Sequence, residues 1–90
     1  MRCRLRGKWW TIARRRMRGR KVGECDSPAN SAPRYIYLKP SLKDKELLET
    51  LLHEMLHACL WDLDEDAVIE VSADIASSLW SDGWRRDCTH

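Results

Sequence analysis

The sequence contains no pair of cysteines spaced as CxxC, no long run of apolar residues and no segment with the features of a signal peptide. The missing CxxC pairs argue against a zinc ribbon, and a scaffold held together by disulfide bonds is not indicated. The other two absences are typical of an intracellular protein with reduced thiols, so we expect a cytoplasmic location. The four cysteines are Cys3, Cys25, Cys59 and Cys88.

Acidic residues are missing from the first quarter of the chain. Residues 1–22 contain ten lysines or arginines and no aspartate or glutamate, although the net charge of the whole chain is only +2. Such a segment can bind nucleic acid, an acidic partner or the protein's own acidic helices. The plainer interpretation is a solvated strand end and turn. The candidate nucleic-acid contacts are Arg14, Arg15, Arg16, Arg18, Arg20 and Lys21, with Trp9 and Trp10 close by in the sequence.

The length of 90 residues predicts one domain, which buries roughly 60–65% of the surface of the unfolded chain. A domain of this size is marginally stable on its own, and a bound metal ion would add stability. We place the whole chain in this domain, with a basic N-terminal arm at about residues 1–7 and a polar C-terminal tail at about residues 85–90.

Two segments have the residue types of strands, and two have the apolar periodicity of helices. Their order predicts an α+β fold, in which a short mixed or antiparallel sheet of about three strands packs on two helices. The segment between the strands contains prolines and polar residues, which predicts a loop. The expected elements are strands at 8–14 and 34–38, a loop at 23–33, a helix from a cap at 41–44 to about Trp61, and a helix that ends near Gly83.

The sequence His53-Glu54-Met55-Leu56-His57 lies inside the first expected helix. At 3.6 residues per turn, His53 and His57 are about 40° apart around the helix axis, so both imidazoles can reach one zinc ion, and Glu54 can reach its open side. The alternative, two surface histidines on an ordinary amphipathic helix, is disfavoured because the pair lies roughly opposite the apolar stripe. That stripe consists of Leu48, Leu51, Leu52, Met55 and Cys59.

Two acids on the second expected helix complete the predicted site. Glu70 stands among apolar residues, where an acid needs a partner, and a metal ion would be such a partner. Asp74 lies one turn further on and is predicted to accept the outer N–H of a ligating histidine. The alternative is a solvated polar stripe, because Asp66, Glu70 and Asp74 repeat every four residues. The short turn between the helices favours the site, since it brings the two halves within reach of each other.

The acidic cluster Asp62-Leu63-Asp64-Glu65-Asp66 separates the two expected helices. We expect it to turn the chain and to place acids in the first turn of the second helix, where the helix dipole stabilises negative charge. Calcium binding is disfavoured because the oxygen spacing and the central glycine of a calcium loop are missing.

The two motifs together resemble those of the gluzincin metallopeptidases, in which HExxH on one helix is followed by ExxxD on the next. They are His53-Glu54-Met55-Leu56-His57 and Glu70-Val71-Ser72-Ala73-Asp74. The layout is most similar to minigluzincins and to the ImmA/IrrE-type and SprT-like domains of bacteria and phages, over about residues 8–84. It differs from the metzincins, because Leu60 and Leu63 stand where their motif needs a glycine and a histidine. It also lacks the downstream histidine of the SprT-like group, which favours the ExxxD glutamate as the third ligand.

The resemblance implies a zincin-like fold and a zinc-dependent metallopeptidase. His53, His57 and Glu70 would hold the ion and leave one position open, and Glu54 would accept the proton of the attacking water. In zincin-like folds the strand before the motif helix lies at the edge of the cleft, where it can pair with a peptide or protein substrate. The residues of that strand are Tyr35, Ile36 and Tyr37.

Two other classes of protein remain open. One is a catalytically silent zincin-fold regulatory protein, against which the intact Glu54 argues, since a purely structural site needs no base. The other is a small nucleic-acid-binding protein that uses the basic N-terminal segment, whose binding would fall steeply with salt. The resemblance also leads to the hypothesis that the C-terminal tail inhibits the protein's own site, because Cys88 and His90 in this tail can bind zinc.

Overall fold

A computed structural model describes residues 1–86 and has the predicted α+β fold. Both expected strands and both expected helices are present, but the sheet has four strands, because two short strands lie in the expected N-terminal arm and at the start of the expected loop. The elements are β1 (Arg2–Leu5), β2 (Lys8–Arg14), β3 (Gly23–Cys25), β4 (Arg34–Leu38), α1 (Asp44–Cys59) and α2 (Glu65–Ser81).

The sheet is mixed, with the strand order β1-β2-β4-β3. β1 pairs with β2 and β3 pairs with β4 in antiparallel orientation, whereas β2 and β4 run parallel. β4 is therefore an interior strand with a neighbour on each side, and β1 and β3 are the two edges.

Side chains alternate across the sheet, and one face forms the core. Trp10, Ile36 and Leu38 are almost completely buried on this face, where they pack with the α1 residues Leu51 and Met55. α1 contacts the sheet, whereas α2 contacts α1 and no strand of the described chain. The layers are therefore sheet, α1 and α2 in that order, and the expectation that the sheet packs on both helices holds only for α1.

The two helices form a hairpin with a short connection. α1 ends at Cys59, two residues before the expected end, and α2 begins at Glu65 behind Asp64, whose Oδ1 accepts a hydrogen bond from the Ala67 N–H at 2.9 Å. The capping interpretation of the acidic cluster is thus confirmed. At the start of α1 the predicted cap at residues 41–44 is wrong in detail, because the cap residue is Lys43 and no side chain bonds to the helix there.

The second helix ends at Ser81, as predicted, with Gly83 at a φ of 93° directly beyond it. A residue with a β-carbon is strained at this φ, which makes glycine a natural end signal for a helix. In the part of the chain that the structure describes, neither helix is both long and apolar enough to span a membrane.

Candidate metal centre

The two histidines of the HExxH motif face each other one turn apart on α1. The Nε2 atoms of His53 and His57 are 3.1 Å apart, and the ring planes meet at 71°. Both side chains are only about one-fifth exposed, at 22% and 19%. The helix therefore points two imidazole nitrogens at one place, as the spacing of the motif predicts.

A carboxylate from the first residue of α2 meets the two imidazoles. The Oε1 atom of Glu65 lies 3.0 Å from His53 Nε2, and its Oε2 atom lies 3.1 Å from His57 Nε2. A tetrahedral ion with bonds of about 2.0–2.2 Å holds its ligand atoms about 3.3–3.6 Å apart, so these separations need only a small adjustment. The group of His53, His57 and Glu65 could hold a metal ion.

Glu70, the predicted third ligand, lies outside this group. It is exposed, as Glu65 is, but it is not in the group whose ligand atoms converge, whereas its neighbours Ile69 and Ser72 line the cavity beside His53. The physical reason is helical phase, since five residues rotate a side chain by about 140° and move it about 7.5 Å along the axis from Glu65. The assignment of Glu70 is therefore corrected to Glu65.

Asp74, the predicted hydrogen-bond acceptor for a ligating histidine, is also exposed. It follows Glu65 by nine residues, which places it about half a turn around the helix and about 13 Å along the axis. Asp74 is therefore corrected to a solvated position on α2. The polar stripe that the sequence left open as an alternative describes Glu70 and Asp74 better than the site does.

Sequence reasoning missed Glu65 because its cluster already had a sufficient explanation as a helix cap. The useful signal was the connection between the helices, which spans only residues 60–64. Such a short connection folds the helices back on each other, so the first turn of α2 must lie beside the last turn of α1. An acid at the start of α2 is therefore a better candidate for a partner of His57 than an acid in the middle.

Glu54 is buried between α1 and the edge strand β3, with 7% of its surface exposed. Its pKa is raised to about 7, chiefly by burial and then by the negative charge of Glu65, while the positive charge of Lys21 opposes the rise. A carboxylate with a pKa near neutrality can both accept and return a proton at physiological pH.

Gly23 permits the close approach of β3 to Glu54. A β-carbon at this position would lie 2.6 Å from Glu54 Oε2 and 2.9 Å from Thr50 Cγ2, which is closer than atoms can pack. There is no room for a side chain at this position, so glycine is required. Its value to the site is that the backbone of the edge strand lies directly against the motif helix.

The site opens into two adjoining cavities of about 390 and 290 Å³. Both are lined by Lys21, Gly23, His53 and Glu54. The larger extends along α1 toward its N-terminus, and the smaller extends past His57 to Trp61. The motif residues thus lie in the middle of a cleft that follows the free edge of β3.

Cys25 lines the smaller cavity and was assigned no role from the sequence. Burial raises the pKa of its thiol to about 12, and the charges of Glu54 and Asp26 contribute to the rise. The thiol is therefore protonated at neutral pH, and a protonated thiol is a poor metal ligand.

The expectation that Tyr35, Ile36 and Tyr37 pair with a substrate is wrong, because β4 already pairs with strands on both sides. The strand at the cleft is β3. The Lys39 N–H donates to the Val22 carbonyl and the Asp26 N–H donates to the Tyr35 carbonyl, so by alternation the backbone groups of Gly23 and Cys25 point away from β4. These are the groups that an added strand can reach.

The basic segment is engaged in part with the protein itself. Glu24 accepts hydrogen bonds from Arg15 and from Lys21, the latter at 2.6 Å, and Arg14 donates to the Lys39 carbonyl at 3.2 Å. Arg20 and Lys21 line the larger cavity. Trp10, which the sequence placed beside this segment as a candidate surface, is buried in the core with 1% exposure. The predicted role of Cys88 and His90 falls on residues outside those that the structure describes.

Comparison with known proteins found no relative. No protein-family model matches the chain, and neither curated proteins nor solved structures gave a significant match. The functional assignment therefore depends on the geometry of the site.

Proposed function

We propose that the protein is a zinc-dependent metallopeptidase that hydrolyses peptide bonds with Glu54 as the general base. The observation that carries the proposal is the convergence of His53, His57 and Glu65 beside a buried Glu54 in an open cleft. Two imidazole nitrogens and one carboxylate oxygen are a donor set that suits zinc and leaves a fourth position for water or substrate. When bound, zinc supplies a Lewis acid that polarises the scissile carbonyl and makes water more acidic.

Glu54 supplies the proton transfers. Its carboxylate accepts a proton from the attacking water and returns it to the leaving amine, and both steps are efficient when the pKa is near the working pH. Burial raises the pKa of Glu54 to about 7 in the metal-free chain, and a bound cation would lower it again, so the carboxylate can be ionised to accept the proton. The Gly23 backbone closes the back of the Glu54 side chain and keeps it in place.

The free edge of β3 positions the substrate. An extended peptide can add to this edge through the outward N–H and C=O groups of Gly23 and Cys25, which are adjacent to Glu54 along the cleft. Recognition through backbone groups selects for an unfolded or extended segment and reads little of its sequence. This assignment replaces the one that the sequence suggested for β4.

Lys21 is the residue we assign to the developing negative charge on the carbonyl oxygen. It lines both cavities, and its charge acts on Glu54. Its ammonium group bonds to Glu24 at 2.6 Å, which holds the side chain at the cleft. Sequence reasoning identified no residue for this role, because a lysine in a basic segment is not distinctive by itself.

A catalytically silent protein that keeps the metal site is the competing function. A structural zinc site is closed by four protein ligands and has no need of a buried acid beside it. Burying Glu54 costs stability whenever it is ionised, and a silent protein would gain nothing from that cost.

The test is Glu54→Gln, examined for metal content and for cleavage of an unstructured protein or peptide library. We expect stoichiometric zinc in both proteins and a loss of hydrolysis of about a hundredfold or more in the variant. Asp74→Asn, an exposed change on α2 outside both cavities, is the matched control and should keep full activity. Activity that survives Glu54→Gln would exclude Glu54 as the base, and absence of zinc uptake by the parent protein would overturn the proposal.

A further inference from the structure

The face of the sheet that points away from α1 has its own composition. Strand residues alternate, so the neighbours of the buried Trp10 and Ile36 lie on this second face, which we call the open face. No helix of the described residues 1–86 packs on it, because α1 covers the core face and α2 covers α1. The strand residues of the open face are Arg2, Arg4, Trp9, Thr11, Ala13, Tyr35, Tyr37 and Glu24.

Three aromatic rings lie on the open face. Trp9 is 52% exposed, and the rings of Tyr35 and Tyr37 stack with a centroid distance of 5.3 Å and an angle of 8°. Thr11 is the neighbour of Tyr35 across the β2–β4 pair and follows Trp9 by two residues. From strand geometry, the positions of Trp9 and Tyr35 are about 8 Å apart. The rings therefore form a row of flat apolar surfaces on one side of the molecule.

Positive charge accompanies these rings. The Arg2 guanidinium lies over the Trp9 ring at 4.8 Å, and the Arg15 guanidinium lies over the Tyr37 ring at 3.7 Å. Glu24 is the acid among the strand residues of this face, and its carboxylate is bonded to Arg15 and Lys21. The open face is thus cationic, and it belongs mostly to the part of the chain that has no acidic residue before position 23.

We propose that the open face binds single-stranded nucleic acid. Unpaired bases have flat faces that stack on Trp9 and Tyr35, and arginines that already lie on aromatic rings can turn to a phosphate or stack on a base. A duplex hides its base faces, so the rings would contribute nothing to duplex binding. Four-stranded sheets that present aromatic residues on an uncovered face are known to stack two or three bases in this way.

One alternative is that nucleic acid binds only to the basic loop between β2 and β3. In that case the arginines between β2 and β3 would supply the affinity, and the rings would be irrelevant. An acidic protein segment is the other competitor, because it also carries negative charge but offers no bases for stacking. The contribution of Trp9 to the affinity therefore distinguishes single strands on the open face from both alternatives.

The experiment measures the binding of a fluorescent oligodeoxythymidylate of about twelve nucleotides to the full chain by anisotropy at several salt concentrations. We expect Trp9→Ala to weaken binding by about tenfold to a hundredfold and Trp9→Phe to retain most of the affinity. Arg4→Ala should lower the slope of log affinity against log salt by about 0.7, which corresponds to one phosphate contact. Binding should survive a chelator, because the metal centre lies on the core side of the sheet.

Trp84→Ala is the matched control, since Trp84 is a similarly exposed tryptophan outside the sheet, and it should leave binding unchanged. Melting temperatures that stay well above the assay temperature would separate lost contacts from lost folding in these variants. Equal affinity of the parent protein and Trp9→Ala would overturn the proposal, whether or not Arg16→Ala weakens binding. Competition by polyglutamate as effective as competition by the single strand, or the absence of binding at low salt, would also overturn it.

Discussion

The two faces of the same four-stranded sheet have opposite chemistry. Trp10 is buried under α1, whereas its neighbour Trp9 lies on the open face with 52% of its surface exposed. In β3, Gly23 lies against Glu54, whereas Glu24 alternates to the open face and bonds to Arg15 at the edge of the sheet, where it also borders the smaller cavity. Because successive side chains of a strand point to opposite faces, one short strand can border both a candidate metal site and a charged surface.

The charged groups at the candidate metal site and on the open face differ as well. Glu65 belongs to the group that could hold a metal ion on the core side, and its charge acts on the nearby Glu54, so a bound cation would balance both acids. The open face carries arginines and aromatic rings, and its one strand acid is paired. The basic residues of β1 and β2 alternate between the two sides, with Arg2 and Arg4 on the open face and Lys8 and Arg14 on the other, so the positive charge of the open face comes from Arg2, Arg4 and Arg15.

The largest expected effect separates the two adjacent tryptophans. Trp10→Ala should lower the free energy of unfolding by about 3–5 kcal/mol, because it leaves a cavity in the core. Trp9→Ala should lower it by about 1 kcal/mol or less, because it removes only a surface cross-strand contact. Urea denaturation of the two variants measures both values, and similar losses would contradict the assignment of Trp9 to an open face.

The second effect concerns the buried acid on the core side. The pKa of Glu54 in the folded chain is about 7, above its ordinary value of 4.5, so the folded state binds its proton more tightly than the unfolded state. The stability that the folded state gains by binding this proton is fully present below pH 4.5 and is lost as the pH rises through about 7. Glu54→Gln, which cannot ionise, should therefore become more stable than the parent by about 3 kcal/mol at pH 8 and by little at pH 4.

These unfolding measurements need a chelator, because a bound cation would favour the ionised form of Glu54. Glu46→Gln is the control on the same helix, and its side chain is exposed. It should change stability by no more than about 0.5 kcal/mol at either pH. A difference between Glu54→Gln and the parent that does not grow with pH would contradict the burial of Glu54.

The third and smallest effect concerns the contact between β3 and α1. Gly23→Ala places a β-carbon 2.9 Å from Thr50 Cγ2, so the strand or the helix must shift, at a cost of about 1–3 kcal/mol. Gly19→Ala is the control for backbone strain, because Gly19 has a φ of 64° and no neighbour within 4 Å of the added carbon. Both variants should lose stability, but only Gly23→Ala should lose peptidase activity. Equal activities would show that Gly23 does not position Glu54.

Much of the fold could be predicted from local patterns. The strands β2 and β4, the HExxH helix and the end of α2 near Gly83 all follow from periodicity and residue type. β3 could not be predicted, because three residues within a polar, proline-containing segment carry no periodicity of their own. Its pairing with β4 decides which edge faces the cleft, and strand order is a property of the whole sheet.

The candidate site was predictable only within one helix. His53 and His57 are fixed relative to each other by helical spacing, and the structure keeps them together. The third ligand depends on the residue at which α2 begins and on how the two helices approach each other. Glu70 failed on this point because the helical phase turns it to solvent, whereas Glu65 lies at the start of the helix beside both imidazoles.

The central claim is that His53, His57 and Glu65 form the metal centre, and a zinc titration against a competing chromophoric chelator tests it most directly. Glu65→Gln should weaken zinc binding by at least about tenfold, since loss of a direct ligand costs no less than loss of a group that orients one. Glu70→Gln should bind zinc as the parent does, and His57→Ala should lose specific binding. Weakened binding in Glu70→Gln with parental affinity in Glu65→Gln would contradict the account.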